Sequence, residues 1–248
     1  MNARTVGKLQ SYRFLSQDNW LASFFPETLL YTESTFRHLL HKYRSVIVKP
    51  NLGVHGNGVL KISKIMDRYR FQCDDVVKTF SNISLLIDYL QKVTANECYI
   101  VQKYIELATI NERPFDLRVM VQRKIDHDWE ITGQYAKVAK RGLIITNLKS
   151  KADVLPVEEV LLTLNVGEGQ RRMQALVHSI ALRTAQRLGE RFTEHHIWGI
   201  DIAVDRYGCV WMIEANARPG FRGFQKLKDR SMYRTIMEVK RYNKELES

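Results

Sequence analysis

Residues 197–220 read IWGIDIAVDRYGCVWMIEANARPG. Two apolar, β-branched runs flank the polar tetrapeptide DRYG, which is the pattern of a hairpin. An even-length loop at DRYG sets Val204 opposite Cys209 and, counting back, Asp201 opposite Met212. Side chains alternate along a strand, so Met212, Glu214 and Asn216 share a face. Asp201 lies on that face, diagonal to Glu214 at roughly 7–8 Å between backbones. Three oxygen-bearing side chains then converge beside apolar strands. Buried carboxylates repel each other unless a cation joins them. Hard oxygen ligands suit Mg²⁺, which keeps waters and shares its shell with phosphates. The alternative is a solvent-facing Asp201 and a Glu214 that only ends a strand. A one-residue change of register separates the two readings.

Upstream, residues 46–59 read VIVKPNLGVHGNGV. Lys49 leaves the end of a short buried strand, and Gly53, Gly56 and Gly58 follow. Glycines let backbone N–H groups approach a phosphate, and a lysine adds a point charge. The alternative is a hairpin tip, with His55 as an ordinary loop side chain. Neither a Walker A pattern nor G-x-G-x-x-G is present.

Periodicity supplies the rest. Residues 34–43 read as a helix capped by Ser34, residues 83–92 as a second helix, and RRMQALVHSIALRTAQRL as a long one. VLKIS at 59–63 reads as the return strand of SVIVKP at 45–50, and YIVQKYI at 99–105 as another strand. LRVMVQRK and WEITGQYAKV form an antiparallel pair about the polar stretch 125–128. Strands and helices mix without strict βαβ alternation. The expected class is therefore α+β rather than a doubly wound parallel sheet. The tail beyond Phe224 reads as a charged helix.

The 248 residues suit one large domain or two small ones. No run approaches the ~18 apolar residues of a membrane span, and no apolar core of a secretory signal is present. Three cysteines without ligand spacing point to a reducing, cytoplasmic setting. Cys98 and Cys209 fall within expected strands and read as core residues. Thirty-eight basic against 27 acidic residues give a net charge of +11, which attracts polyanions. The charge gathers at 137–151, with Lys137, Lys140, Arg141, Lys149 and Lys151, and in the segment from Asn216 onward. An acidic peptide or anionic polymer fits it, as does a merely solvated face. Nucleic acid fits less well, because no recognition helix, zinc-finger spacing or RNA-binding aromatic motif occurs.

Taken in order, VIVKPNLGVHGNGV, YIVQKYI, FDLRVMVQ, IITNL and IDIAV with WMIEANARPG resemble the ATP-grasp superfamily, and within it the spore-coat-associated YheC/YheD family. The resemblance spans about residues 45–224 and implies two α+β subdomains clasping ATP. The implied division is an N-terminal lead-in at 1–45, a small lobe at 46–105 and a large lobe at 106–248. Lys49 resembles the lysine that reaches the nucleotide phosphates, and Gly53, Gly56 and Gly58 the loop that closes over them. Gln102, Lys103, Tyr104 and Ile105 resemble the hinge that reads adenine, largely through main-chain groups. Asp116 and Arg118 are similar to the acidic and basic pair beyond the hinge, with Lys137 a further cation for the phosphates. Asn147 resembles the asparagine near the transferred phosphate. Asp201, Glu214 and Asn216 resemble the ligands of magnesium (or manganese), with Arg218 beside them.

The resemblance implies a ligase that joins a carboxylate to an amine through an acylphosphate. Its alternatives are a nucleotide-binding scaffold of the spore surface and a phosphotransferase. Two departures bear on this. IITNLKSKAD lacks the glycine pair that follows the asparagine in related ligases. Only about 45 residues precede Val46, where typical members carry an α/β domain, so part of the usual substrate surface is expected to be missing or to be supplied by a partner chain or oligomer.

Overall fold

The computed structural model describes residues 6–53, 57–95, 97–141, 152–164 and 169–246. The chain enters through two short helices, α1 (Lys8–Leu15) and α2 (Asn19–Ala22), the second capped by Asp18 Oδ1 accepting from Trp20 N and Leu21 N. Strand β1 (Thr28–Leu30) leads to α3 (Glu33–Tyr43). Thr32, rather than Ser34, caps α3. Its hydroxyl accepts from Thr35 N at 3.1 Å while Thr35 Oγ1 accepts from Thr32 N at 2.9 Å, a reciprocal capping box.

Four strands follow: β2 (Ser45–Pro50), β3 (Leu60–Ile65), β4 (Arg68–Cys73) and β5 (Val76–Phe80). Helix α4 (Ile83–Thr94) and β6 (Tyr99–Lys103) complete the small lobe. Its sheet runs β1-β6-β2-β3-β4-β5, antiparallel throughout. The pair β4 and β5 has no counterpart in the sequence reading, because their exposed, polar faces carry little alternation. Phe36, Leu39 and Leu40 of α3 and Leu86 and Leu90 of α4 bury against Val46, Val48, Ile62 and Val101.

The large lobe comprises β7 (Thr109–Ile110), β8 (Arg113–Gln122), β9 (Glu130–Val138), β10 (Asp153–Leu155), α5 (Val157–Leu162), α6 (Gly169–Arg191), β11 (Ile197–Val204), β12 (Val210–Asn216), α7 (Arg222–Lys226) and α8 (Ser231–Leu246). Its sheet runs β10-β9-β8-β11-β12, with β7 on β8. One face packs Val119, Val121, Ile200 and Ile202 against Val177, Ile180 and Leu188 of α6. The other is covered in part by α7 and α8, where Tyr135 meets Phe224 edge-on at 4.7 Å. Gly223 is required there, since a Cβ would stand 2.2 Å from Tyr135 Cζ.

The first 43 residues divide between the two cores. Leu15 and Leu21 join the large-lobe core, whereas Phe36, Leu39 and Leu40 belong to the small lobe. Met212 N of β12 donates to Phe24 O at 2.8 Å, so the N-terminal segment lines the edge of the last strand. Cys98 and Cys209 are exposed rather than core residues, because Cys98 precedes β6 and Cys209 lies in the β11–β12 loop.

Candidate active site

A cleft of about 280 Å³ lies between the lobes, bordered by the end of β2, strand β6, strand β12 and helix α1. Its geometry starts from the hairpin that opens the sequence reading, and the register there differs from the expected one. Val204 pairs with Val210, not Cys209, so the loop is Asp205–Cys209. Asp205 builds that loop, because its Oδ1 accepts from both Tyr207 N and Cys209 N at 2.9 Å, and Gly208 turns at φ +82°. A bulge past Asp201 then puts Ile202 opposite Met212 and Asp201 directly opposite Glu214. Two departures from the simple count thus bring the carboxylates closer in register than a diagonal pair.

Asp201, directly opposite Glu214, is densely bonded behind the cleft wall. Arg118 clasps it in two parallel bonds, Nε to Oδ1 at 2.7 Å and Nη2 to Oδ2 at 2.8 Å. Lys137 Nζ donates to Oδ1 at 2.9 Å and also pairs with Asp116 at 3.0 Å. Asn216 Nδ2 donates to Oδ2 at 3.1 Å. Burial would raise the carboxyl of Asp201, but the charges of Arg118 and Lys137 outweigh it and hold the group well below the usual carboxylate range. Burial likewise works against charge on Lys137, and the facing Asp116 and Asp201 override it, so its ammonium is held above its ordinary value.

Lys49 sits in the opposite wall, nearly inaccessible, with Nζ donating to Gln102 Oε1 at 2.8 Å. Gln102 Nε2 in turn donates to Thr28 Oγ1 at 2.7 Å. Burial lowers the Lys49 pKa to about 8; Glu214 opposes that shift, the ammonium of Lys8 adds to it, and Asp201 opposes it. Lys8 is the residue that sequence reasoning missed. It stands in the first turn of α1, donates to Gly53 O at 2.6 Å and faces Glu214 Oε1 at 3.5 Å. Asn51 docks that helix, accepting from Lys8 N through its main-chain oxygen at 3.0 Å and from Leu9 N through Oδ1 at 2.9 Å. The signal was a lysine opening a helix just before the first apolar run, which is too common a pattern to stand out.

The other expected residues are distributed as follows. Gly53 and Arg218 border the cleft. Gly58 turns at φ +70° against Pro50. Lys103 points away, its ammonium 4.3 Å from the Trp211 ring centroid and 5.3 Å from that of Tyr43. Tyr104 lies under Lys61 Nζ, 3.7 Å from its ring centroid, and Ile105 is buried. The cleft border therefore takes Gln102 from the hinge stretch and not the three side chains after it. Gly56, His55, Asn147, Lys149 and Lys151 lie outside the described residues.

The fit of a divalent ion follows from the donors. Glu214 offers a carboxylate whose described ion pair is the longer one to Lys8, and Asn216 keeps an amide oxygen beyond the bond its nitrogen makes. Both fit a hard cation. Asp201 as arranged does not, because N–H donors saturate its two oxygens. The buried cations explain this difference from the expected ligand set: Arg118 and Lys137 need an anion, and Asp201 lies between them. Among the described residues, no group of three or more His, Cys, Asp or Glu side chains is placed to hold a metal.

A family model described as YheC/D like ATP-grasp matches residues 1–246. The chain belongs to that ATP-grasp family. Two curated relatives, both from Bacillus subtilis (strain 168), are similar to it. Endospore coat-associated protein YheC is 26% identical over 215 residues, covering 83% of this chain and 58% of the relative. Endospore coat-associated protein YheD is 26% identical over 229 residues, covering 88% and 49%. The chain thus spans about half the length of these relatives. Among solved structures, N5-carboxyaminoimidazole synthetase from Staphylococcus aureus complexed with ADP aligns with a TM-score of 0.56 at 9% identity, over 87% of this chain and 45% of that one. The C-terminal domain of K. lactis Pby1, an ATP-grasp enzyme interacting with the mRNA decapping enzyme Dcp2, aligns at 0.52 with 13% identity, over 92% and 68%. These likenesses show the ATP-grasp fold. No helix among the described residues is long and apolar enough to cross a membrane.

Proposed function

We propose that the chain is an ATP-dependent carboxylate–amine ligase acting through an acylphosphate. The observation that carries this is the opposition, within one cleft, of the cations Lys49 and Lys8 to the Glu214 carboxylate and Asn216 amide. Such a pairing of ammonium groups with hard oxygen ligands suits a triphosphate. Magnesium, held by Glu214 and Asn216, would neutralise developing phosphate charge.

The remaining work falls to the chain. Lys49 and Lys8 hold the phosphates from the small-lobe side, and Gly53 keeps its carbonyl on Lys8 so that loop and helix close together. Asp201 holds Arg118 and Lys137 rigid, so that their charge is already in place where it develops. An oxygen of the acceptor carboxylate attacks the terminal phosphorus and ADP leaves. An amine then attacks the acyl carbon, releases phosphate and gives up a proton. No nucleophilic side chain is required. The relatives' names motivate the further proposal that this chemistry serves the spore surface, in a cytoplasmic precursor stage.

Calorimetric titration with a non-hydrolysable ATP analogue tests the reading. Mg²⁺-dependent binding, with that dependence lost in Glu214→Gln, is the expected result. Binding that ignores Mg²⁺ in both proteins refutes the metal assignment. ADP release only with both a carboxylate and an amine supports ligation; release on a carboxylate alone, with stable phosphorylated product, supports a phosphotransferase. Binding without turnover in a broad acceptor screen supports a scaffold.

A further inference from the structure

The excess positive charge resolves into two regions that the fold treats differently. In the stretch beginning at Lys137, each described cation has an acidic partner. Lys137 pairs with Asp116 and Asp201, Lys140 with Asp153 at 3.4 Å, and Arg141 with Glu112 at 3.1 Å. From Asn216 to the end the sequence holds nine basic and four acidic residues, nearly half of the net +11. There Arg241 pairs with Glu245 at 3.8 Å, and the basic residues outnumber the acidic ones by more than two to one.

The cations of this region share an orientation, and most of them exceed the acidic residues available beside them. Helix α8 buries Ile236, Val239 and Asn243 on one side. By helical spacing Arg230, Arg234 and Arg241 fall on the opposite side, and all three are exposed. Arg222 and Lys226 of α7 are exposed as well, and α7 follows Arg218 of the cleft by three residues. Both helices lie on the face of the large-lobe sheet that holds the site. Gln122 Nε2 of β8 donates to Ile236 O at 3.3 Å, and Tyr135 of β9 packs on Phe224. Met120 and Tyr135 sit under the helices; Arg118 and Lys137, two residues away on the same strands, lie on the same face and bond Asp201, which is opposite Glu214 of the cleft wall. A cationic flank therefore continues from the cleft mouth outward.

We infer that α7 and α8 dock an acidic polypeptide, the chain that presents the acceptor carboxylate to the cleft; the acceptor role, unlike the docking, rests on the ligase reading. Charge complementarity selects a polyanion, and the surface selects among polyanions. Single-stranded nucleic acid is held by exposed aromatic platforms. Tyr233 and Tyr242 are only half-exposed and already engaged, by Gln225 and by His127 and Lys124. The widely exposed aromatic ring among the described residues, Tyr207, is in the β11–β12 loop at the far end of the hairpin from Arg218.

Fluorescence anisotropy with fluorescein-labelled poly-L-glutamate, in the absence of nucleotide, tests the docking. The full chain binds at low salt and releases as salt rises. The Arg230→Gln/Arg234→Gln/Arg241→Gln variant binds about tenfold more weakly, with an unchanged melting temperature and unchanged ATP-analogue affinity. A control, Arg68→Gln/Lys92→Gln on the small lobe, binds as the parent does, and Arg→Lys at the same three positions restores binding. Equal affinity for parent and triple-Gln variant overturns the inference, as does tighter binding of an oligothymidylate of matched length. Failure of the ATP analogue to bind the parent protein would instead sink the ligase reading and leave the docking result standing.

Discussion

Lys49 carries a charge in a place that disfavours it, and the consequence is measurable. Its ammonium has Gln102 as hydrogen-bond partner and no carboxylate in direct contact, and its pKa falls from 10.5 to about 8. A depressed lysine binds its proton less tightly in the folded chain than in the unfolded one. The folded state is therefore penalised below about pH 8, and the penalty fades as pH rises from there toward 10.5. A shift of this size corresponds to about 3 kcal/mol at neutral pH. Lys49→Met removes the charge and leaves Gln102 without its donor, which costs about 1 kcal/mol. The variant should be more stable than the parent by about 2 kcal/mol near pH 6, a rise in melting temperature of about 4–8 °C for a chain this long. That advantage should shrink by about 2 kcal/mol by pH 9.5, because the parent gains stability while the variant has nothing to titrate there. Denaturant unfolding of both proteins across this range is the assay. A variant less stable than the parent at pH 6, or a difference that stays constant with pH, refutes the reasoning. Phosphate binding restores a partner to the ammonium, so ATP-analogue affinity should fall above about pH 8 and binding there should take up a proton.

Three further perturbations follow from contacts in the cleft and beside it. Asp201→Asn strands Arg118 and Lys137 and should cost about 3–5 kcal/mol in urea unfolding near neutral pH; because the Asp201 pKa is depressed, its contribution in the parent is present above about pH 4 and lost only as pH falls through the lowered value. Lys8→Met should weaken binding of an ATP analogue more than that of adenosine, and equal losses would reduce Lys8 to a helix anchor. Gly223→Ala drives a methyl into the Tyr135 ring and should cost about 1–3 kcal/mol; an unchanged melting temperature would show that α7 shifts freely.

The hairpin shows what the sequence could and could not convey. Alternation along IWGIDIAV and WMIEAN placed two strands and three polar side chains correctly on one side. Register was not legible, because it depends on Asp205 gathering two N–H groups into a five-residue loop and on a bulge that no side-chain pattern announces. Lys49 and Gln102 were legible as a strand-end lysine and a strand residue. Their hydrogen bond was not, since it joins residues 53 apart in sequence. The role of Arg118 was only half visible: it read as one of a pair beyond the hinge, whereas its partner is Asp201, 83 residues on. Lys8 escaped for the same reason, as its neighbours Gly53 and Glu214 come from both lobes.

The division of the N-terminal segment between two cores sets an order on assembly. Residues 28–103 contain every strand of the small lobe and the helices that cover it, so that lobe can close while the rest is still being made. Leu15 and Leu21, by contrast, join the large-lobe core beside α6, and Phe24 waits for Met212. Helices α1 and α2, although they precede the small lobe in sequence, are thus among the last of these elements to find their places. The wall of the cleft that carries Lys8 is completed only when β12 arrives, so a chain halted before the final hairpin would hold a folded small lobe with no cleft.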